Sequence, residues 1–365
     1  MLRDDVNRPQ VDVIIPSYQY GRYLRDCVTS ILTQPYRDVR VLIVDNASTD
    51  DSVEVAQQLV AEDGRVELVA RRRNLGLHAS LNEGIDWASS TYFMVMCADD
   101  FLVPGCFAPT VSFLEQHPDI GFAFGRAAYL RPNDPTPVTG VSPEEMRWRI
   151  VGGGDLIERF CREGVNHVTG SGVMVRTVVQ KLAGYYRPEL SHTTDFEMWM
   201  RLACLGAVAR TEAHLVALRL HRLAKKAVAC GSSYTCQRPP AMPWLDEDAF
   251  ECFFAHEGGL LTDAARLRRL AKRGLAERAY WAALADLCRG QPGASKALFK
   301  FALRRRPSIG ILPPVAYLFR RHDSAERILE TVSEMIRWPR SVAKPVEVGR
   351  SRDYPASSQG HSRSC

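Results

Sequence analysis

From Val11 to about Arg126, short apolar runs alternate with stretches in which apolar residues recur three and four positions apart. The runs are Val11 to Ile15, Val39 to Val44, Val66 to Ala70, Tyr92 to Cys97 and Gly121 to Phe124. They are too short for helices and lack the alternation of a half-exposed strand, so they read as strands buried on both faces. Between the first two, Leu24, Cys27, Val28, Ile31 and Leu32 form one helical stripe. Between the second and third, Val53, Val55, Ala56, Leu59 and Val60 form another, with Ser48, Thr49 or Asp50 as its cap. Strand, helix and strand in succession predict an α/β fold: a mostly parallel, Rossmann-like sheet with helices on both faces.

After Arg126 the strands are harder to read. A stretch rich in Pro and Gly runs from Arg131 to about Pro143, followed by Gly170 to Arg176, a helix from about Phe196 to Leu205 and a strand ending near His221. Gly231 to Pro243 has the composition of a linker. Beyond it, Asp248 to Arg289 and Ala294 to Arg306 read as amphipathic helices. The expected division is an N-terminal extension over 1–10, a sheet domain over 11–228, a linker over 229–245, a C-terminal helical appendage over 246–345 and a polar, disordered tail over 346–365. The apolar segment Ile309 to Phe319 sits between Arg304-Arg305-Arg306 and Arg320-Arg321. That pattern suits docking on anionic lipid, and it also suits a helix packed on the main domain with solvated flanks, the reading we favour.

Composition narrows the class. Hydrophobic residues make up 46% and charged residues 24%, as in an ordinary globular protein. A net charge of +5 without a clustered basic module argues against nucleic acid as a partner. The 10 cysteines are scattered with no Cys-x-x-Cys pair, which points to buried free thiols, Cys97 and Cys204 among them, in a reducing compartment. Met1-Leu2-Arg3-Asp4-Asp5 lacks a signal-peptide apolar stretch, and no run reaches the ~18 apolar residues of a membrane span. The expected location is cytoplasmic, with peripheral contact at the inner face of the membrane as an option for the C-terminal helices.

The candidate chemistry lies where strands end. Asp99-Asp100 follow the run Tyr92 to Cys97, and Asp45-Asn46-Ala47-Ser48-Thr49-Asp50 follow the run ending at Val44. In an open α/β sheet, ligands bind outside the carboxyl ends of the strands, and paired carboxylates there hold a hard cation against phosphate oxygens. The run Gly152-Gly153-Gly154 has no strand-to-helix context and reads as a flexible joint.

Six motifs then fall in order: Ile14-Ile15-Pro16-Ser17-Tyr18, Val44 to Asp50, Asn74-Leu75-Gly76, Ala98-Asp99-Asp100, Thr194-Asp195-Phe196-Glu197-Met198-Trp199-Met200-Arg201 and Leu220-His221-Arg222. Over Val11 to Arg222 the chain resembles the family 2 glycosyltransferases. The resemblance implies a GT-A fold, an inverting transfer from a nucleotide-diphosphate sugar (UDP-, GDP- or dTDP-linked), and Mn or Mg as cofactor. It implies that Pro16, Ser17 and Tyr18 border the nucleobase and that Asp45 and Asn46 meet base or ribose, Asn46 standing where the family often has Asp. One of Arg71, Arg72 and Arg73, with Arg73 chosen, would meet base or diphosphate, while Asn74 and Gly76 shape the loop. Asp99 would serve both the donor and the metal, with Asp100 and His221 as further metal ligands. Cys97 replaces the first acid of the family's Asp-x-Asp.

Asp195 matches the base that takes the acceptor proton, with Glu197 as nearest rival and a helix cap as the structural alternative. An ordinary aspartate is ionised at neutral pH and would need no tuning. Gly170, Ser171 and Gly172, with Trp199, would form the acceptor side. The acceptor implied is a saccharide or glycolipid in bacterial cell-surface polysaccharide assembly. Two other classes stay open from sequence: a sugar nucleotidyltransferase, for which Pro16 to Gly21 is a poor loop, and a non-catalytic nucleotide-binding scaffold, which the missing acid at Cys97 favours.

Overall fold

The computed structural model describes residues 10–130, 140–142, 144–219 and 243–319. Nine strands form one sheet: β1 (Val11–Ser17), β2 (Val39–Asp45), β3 (Val66–Ala70), β4 (Tyr92–Val95), β5 (Phe101–Leu102), β6 (Ile120–Leu130), β7 (Trp148–Val151), β8 (Met174–Arg176) and β9 (Ala207–Arg219). The order is β3-β2-β1-β4-β8-β6-β9-β5, with β7 on β9. Strands β1 to β4 are parallel, as the unbroken apolar runs require. From β4 onward the sheet is mixed: β8 is antiparallel to both β4 and β6, whereas β6 and β9 are parallel. Strands β5 and β7 escape the sequence pattern because β5 has two residues and β7, Trp148–Val151, alternates too briefly to register.

Side chains alternate across the sheet with period two. Val11, Val13 and Ile15 of β1 point to one face with Val39, Val41 and Ile43, where α1 (Gly21–Leu32), α2 (Ser52–Glu62) and α4 (Phe107–Gln116) cover them. Ile14, Leu42, Val44, Phe93 and Val95 point to the other, toward α3 (Leu77–Trp87) and α5 (Gly153–Glu163). Every stripe residue expected of α1 is buried. Helix α6 (Thr177–Ala183) follows β8, and α7 (Thr194–Ala203) lies in the second face.

The C-terminal helices are α8 (Pro243–Ala255), α9 (Ala264–Cys288), α10 (Pro292–Arg305) and the short α11 (Val315–Leu318). Phe250, Phe253, Leu267, Leu275, Leu298 and Phe301 belong to the same apolar cluster as Phe160, Phe196 and Trp199. They form an added layer on the sheet domain, and α8 begins inside the expected linker, at Pro243. Residues 1–9, most of that linker and the tail lie outside the described residues, as does His221.

Two glycine and cysteine expectations change. Gly153 opens α5 with no room for a side chain, since a Cβ there would stand 1.8 Å from the Ala203 carbonyl oxygen. It is a packing contact with the end of α7, not a flexible joint. Cys27, Cys97, Cys106 and Cys161 are buried free thiols, but Cys204 is exposed because it follows the last residue of α7.

Candidate active site

The loops after β1 and β2 are stitched together. Asp45, the last residue of β2, accepts hydrogen bonds from the Ser48 N–H at 2.9 Å and from the Ser48 hydroxyl. The Ser48 oxygen in turn accepts from the Gln19 N–H at 2.9 Å, and Gln19 Nε2 donates to Thr49 at 2.8 Å. Gln19 and Ala47 both take positive φ, 63° and 65°, strain that this mutual bonding supports. Asp50 accepts from the Gly21 N–H at 3.2 Å and the Ser52 N–H at 3.1 Å. It joins two loops and also takes up the first N–H of α2. Pro16 and Ser17 are buried at the edge, Tyr18 is half-buried, and the Ser17 hydroxyl has no hydrogen-bond partner among the described residues.

Asn46 is spent on the next loop. Its Oδ1 accepts from the Leu75 N–H at 2.9 Å and Arg71 Nη1 at 3.2 Å, and its Nδ2 donates to Asn74 Oδ1 at 2.6 Å. The Oδ1 is thus taken up by the next loop, while one of the two Nδ2 hydrogens is used on Asn74 and the other is left for a ligand. Arg71 is likewise tied to Ser80 and ion-paired with Glu83, while Arg72 and Arg73 are exposed.

Past β4, Cys97, Asp99 and Asp100 are all buried, and their ligand atoms lie within 4.8 Å of one another. Asp100 accepts from the Ser171 hydroxyl at 2.6 Å and the Arg219 N–H at 3.2 Å. Burial first, and then the charge of Asp99, push the Asp100 carboxyl well above the usual carboxylate range. Two such carboxylates suit a divalent cation, whose charge offsets their repulsion, and oxygen donors suit Mg or Mn. The sulfur of Cys97 is the departure from an all-oxygen set.

Ser171 is buried under this pair: its oxygen accepts from the Cys97 N–H at 3.0 Å while its hydroxyl donates to Asp100. Gly172, with φ of 75°, brings the chain onto Val216 and donates its N–H to the Val95 carbonyl at 3.1 Å. Ser171 therefore supports the acids and cannot touch an acceptor. Trp199 is also misplaced by the sequence reading, because its ring is buried against Phe122 at 5.7 Å between centroids.

Asp195 stands in the first turn of α7, half-buried, with Asn166 Nδ2 donating to its Oδ2 at a long 3.4 Å. Burial, and then the charge of Asp246, push its carboxyl up to about 6, with the Phe196 N–H pulling the other way. The expectation of an untuned aspartate is thus corrected: this carboxylate is still ionised at neutral pH and is a stronger base than usual. Glu197 is held by Arg187 and by Arg201, whose Nε and Nη2 reach it at 3.0 and 2.9 Å. Arg201 also donates to the carbonyls of Ala183 and Tyr185. Glu197 is a structural ion-pair centre, not a free base.

Two tyrosines that the sequence did not single out border the cleft. Burial raises the Tyr20 phenol, and the charges of Asp99, Cys97 and Asp100 raise it further. Burial and then Asp195 raise Tyr186, with a smaller contribution from Cys97. Arg219, 6% exposed at the end of β9, stacks between Tyr23 and Phe101 at 4.9 and 4.8 Å. No spacing rule finds these residues, because each comes from a different element.

Residues 12–182 match the model of glycosyl transferase family 2. An uncharacterized glycosyltransferase of Haemophilus influenzae is 24% identical over 219 residues, 59% of this chain and 67% of the relative. One of Methanocaldococcus jannaschii is 25% identical over 201 residues, 54% of this chain and 66% of the relative. Among solved structures, the mannosyltransferase PcManGT of Pyrobaculum calidifontis, in complex with GDP-Man and Mn2+, superposes with a TM-score of 0.54 at 16% identity, covering 90% of this chain and 86% of that one. The fold is of the GT-A type. Over residues 12–182, the chain is thus similar to glycosyl transferase family 2.

Proposed function

We propose that the protein is an inverting glycosyltransferase that moves a sugar from a nucleotide-diphosphate donor to a hydroxyl of a saccharide or glycolipid, in bacterial cell-surface polysaccharide assembly. The observation that carries this reading is the buried Asp99–Asp100 pair past β4, whose ligand atoms lie with that of Cys97 within 4.8 Å of one another. In this reading Asp195 takes the proton of the acceptor hydroxyl as its oxygen attacks the anomeric carbon, opposite the departing diphosphate. Such a base typically contributes about 10² to 10⁴ in rate. Asp45, Pro16, Tyr18 and the unpartnered Ser17 hydroxyl border the nucleoside, and the exposed Arg73 approaches it from the β3 side.

Asp99 is the metal ligand of the pair, because the Asp100 oxygens are bonded to Ser171 and the Arg219 backbone. A bound Mn or Mg supplies charge to stabilise the diphosphate as it leaves. The GDP-Man and Mn2+ complex of a protein with the same fold agrees with this reading. His221 would complete the ligand set. We place the enzyme in the cytoplasm, touching anionic lipid through the segment after α10.

The test is a panel of UDP-, GDP- and dTDP-sugars with Mn, scored by release of nucleoside diphosphate in the presence of glycan and glycolipid acceptors. Asp195→Asn should abolish transfer, by at least about a hundredfold, and leave nucleotide binding intact. Transfer that persists in Asp195→Asn, or binding with no turnover for any donor, overturns the proposal.

A further inference from the structure

Helix α7 is clamped between the sheet and α8. On one side Trp199 meets Phe122, and on the other Phe196 meets Phe250 edge-on at 5.0 Å. At the start of α7 the Thr193 hydroxyl donates to the Leu245 carbonyl of α8 at 3.1 Å. The next residue of α8, Asp246, forms an ion pair with Arg278 of α9, and both are largely buried, at 14% and 16% exposure. The same Arg278 nitrogen donates to the carbonyl of Gly164, at the end of α5. Two residues beyond Gly164, Asn166 reaches Asp195. One arginine therefore touches both approaches to the carboxylate: α8 through Asp246, and the α5 loop through Gly164.

We propose that Asp246 and Arg278 are a positioning pair for Asp195, so that the helices beyond residue 243 belong to the catalytic apparatus. The inference rests on Asp195 being the base. Among the described residues, the titratable and charged groups that bear on it are Asp246 of α8, Arg278 of α9 behind Asp246, and Tyr186 from the segment before α7. Asn166 is polar but does not titrate. Of these, Asp246 is the one whose charge opposes ionisation of Asp195, and Arg278 sits where it partly neutralises that charge. Removing either member should move the basicity of Asp195 in opposite directions, which loss of packing alone would not do.

The experiment is the pH dependence of kcat/KM for the full chain, with the donor that the panel identifies. The wild-type profile should fall on the acid side near 6. In Asp246→Asn, an isosteric change, the acid limb should move down by about half a unit, raising kcat/KM on the acid side about threefold relative to the plateau. In Arg278→Ala it should move up, and Arg278→Lys should restore the wild-type position. If Arg278→Ala does not fold, Asp246→Asn and Arg278→Lys carry the test. An acid limb that stays at the wild-type position in Asp246→Asn overturns the inference, whatever happens to the plateau rate. A wild-type profile with no acid limb near 6 is a different result: it removes Asp195 as the base, and this inference with it.

Discussion

Asp195, the proposed base, carries a cost in stability. Its folded-state pKa is raised, so its contribution to stability is fully present below the ordinary carboxylate range and is lost as pH rises through about 6. At neutral pH the protein holds a charge that its surroundings disfavour, the usual price of a tuned catalytic group. Asp195→Asn removes that charge. Its melting temperature should exceed that of the wild type at pH 8, and the difference should shrink toward pH 5; a variant that melts lower than wild type across the whole range would contradict the burial argument. The sequence located Asp195 by its motif but could not show its tuning, because that comes from burial in the fold and from the charge of Asp246 on α8. Likewise it could not show that the Asn46 oxygen is taken up, since the groups that bond it are Arg71 and Leu75 of the next loop.

Among the elements, α7 is the one on which most depends. It is apolar nearly all round, with Phe196, Met198, Trp199, Met200 and Leu202 buried, as a helix between two layers must be. Its two charged residues inside, Glu197 and Arg201, survive burial by pairing with each other and with Arg187, which continues to Glu257 with two bonds of 2.7 and 2.8 Å. Glu197→Ala would leave Arg201, 3% exposed, without its carboxylate. Breaking one side of a buried pair costs about 3–5 kcal/mol, so urea unfolding of this variant should show a loss of that size. A loss below about 1 kcal/mol would mean that the carbonyls of Ala183 and Tyr185 suffice to hold the arginine. Read from sequence, Glu197 looked like a rival base because a carboxylate two residues from Asp195 has the same chemistry. Their different roles come from pointing in different directions on one helix.

The molecule as a whole presents one apolar, basic corner. After α10 the chain is pinned inward by Ile309 and Tyr317, the latter donating to the Glu163 carbonyl at 2.9 Å, and by Trp281, which donates to the Pro314 carbonyl at 3.2 Å. Between and beyond these anchors Ile311, Leu312 and Phe319 are 90, 74 and 76% exposed. Residues 291–319 contain no Asp or Glu, and Lys296, Lys300 and Arg304 are exposed on α10. Packing and exposure, which the sequence offered as alternatives, divide the segment between them. Among the described residues no helix is long and apolar enough to cross a membrane, so contact here would be interfacial. Co-sedimentation with phosphatidylglycerol vesicles should exceed that with phosphatidylcholine, fall with salt, and drop at least several-fold in Ile311→Ser/Leu312→Ser. Equal sedimentation of wild type and double variant would remove lipid as the partner of this corner.

Local patterns determined a good deal of this protein: buried strands β1 to β4, the stripe of α1, the acids at strand ends and the order of six motifs, all set by period and by the chemistry of adjacent residues. Tertiary structure decided which of those polar groups are free. Ser171, Trp199 and Glu197 carried plausible roles until partners from other parts of the fold took up their atoms or buried their rings. The same packing laid the C-terminal helices as a layer against α7. The physical reason is that a hydrogen bond or a burial needs two surfaces, and a linear pattern describes only one of them.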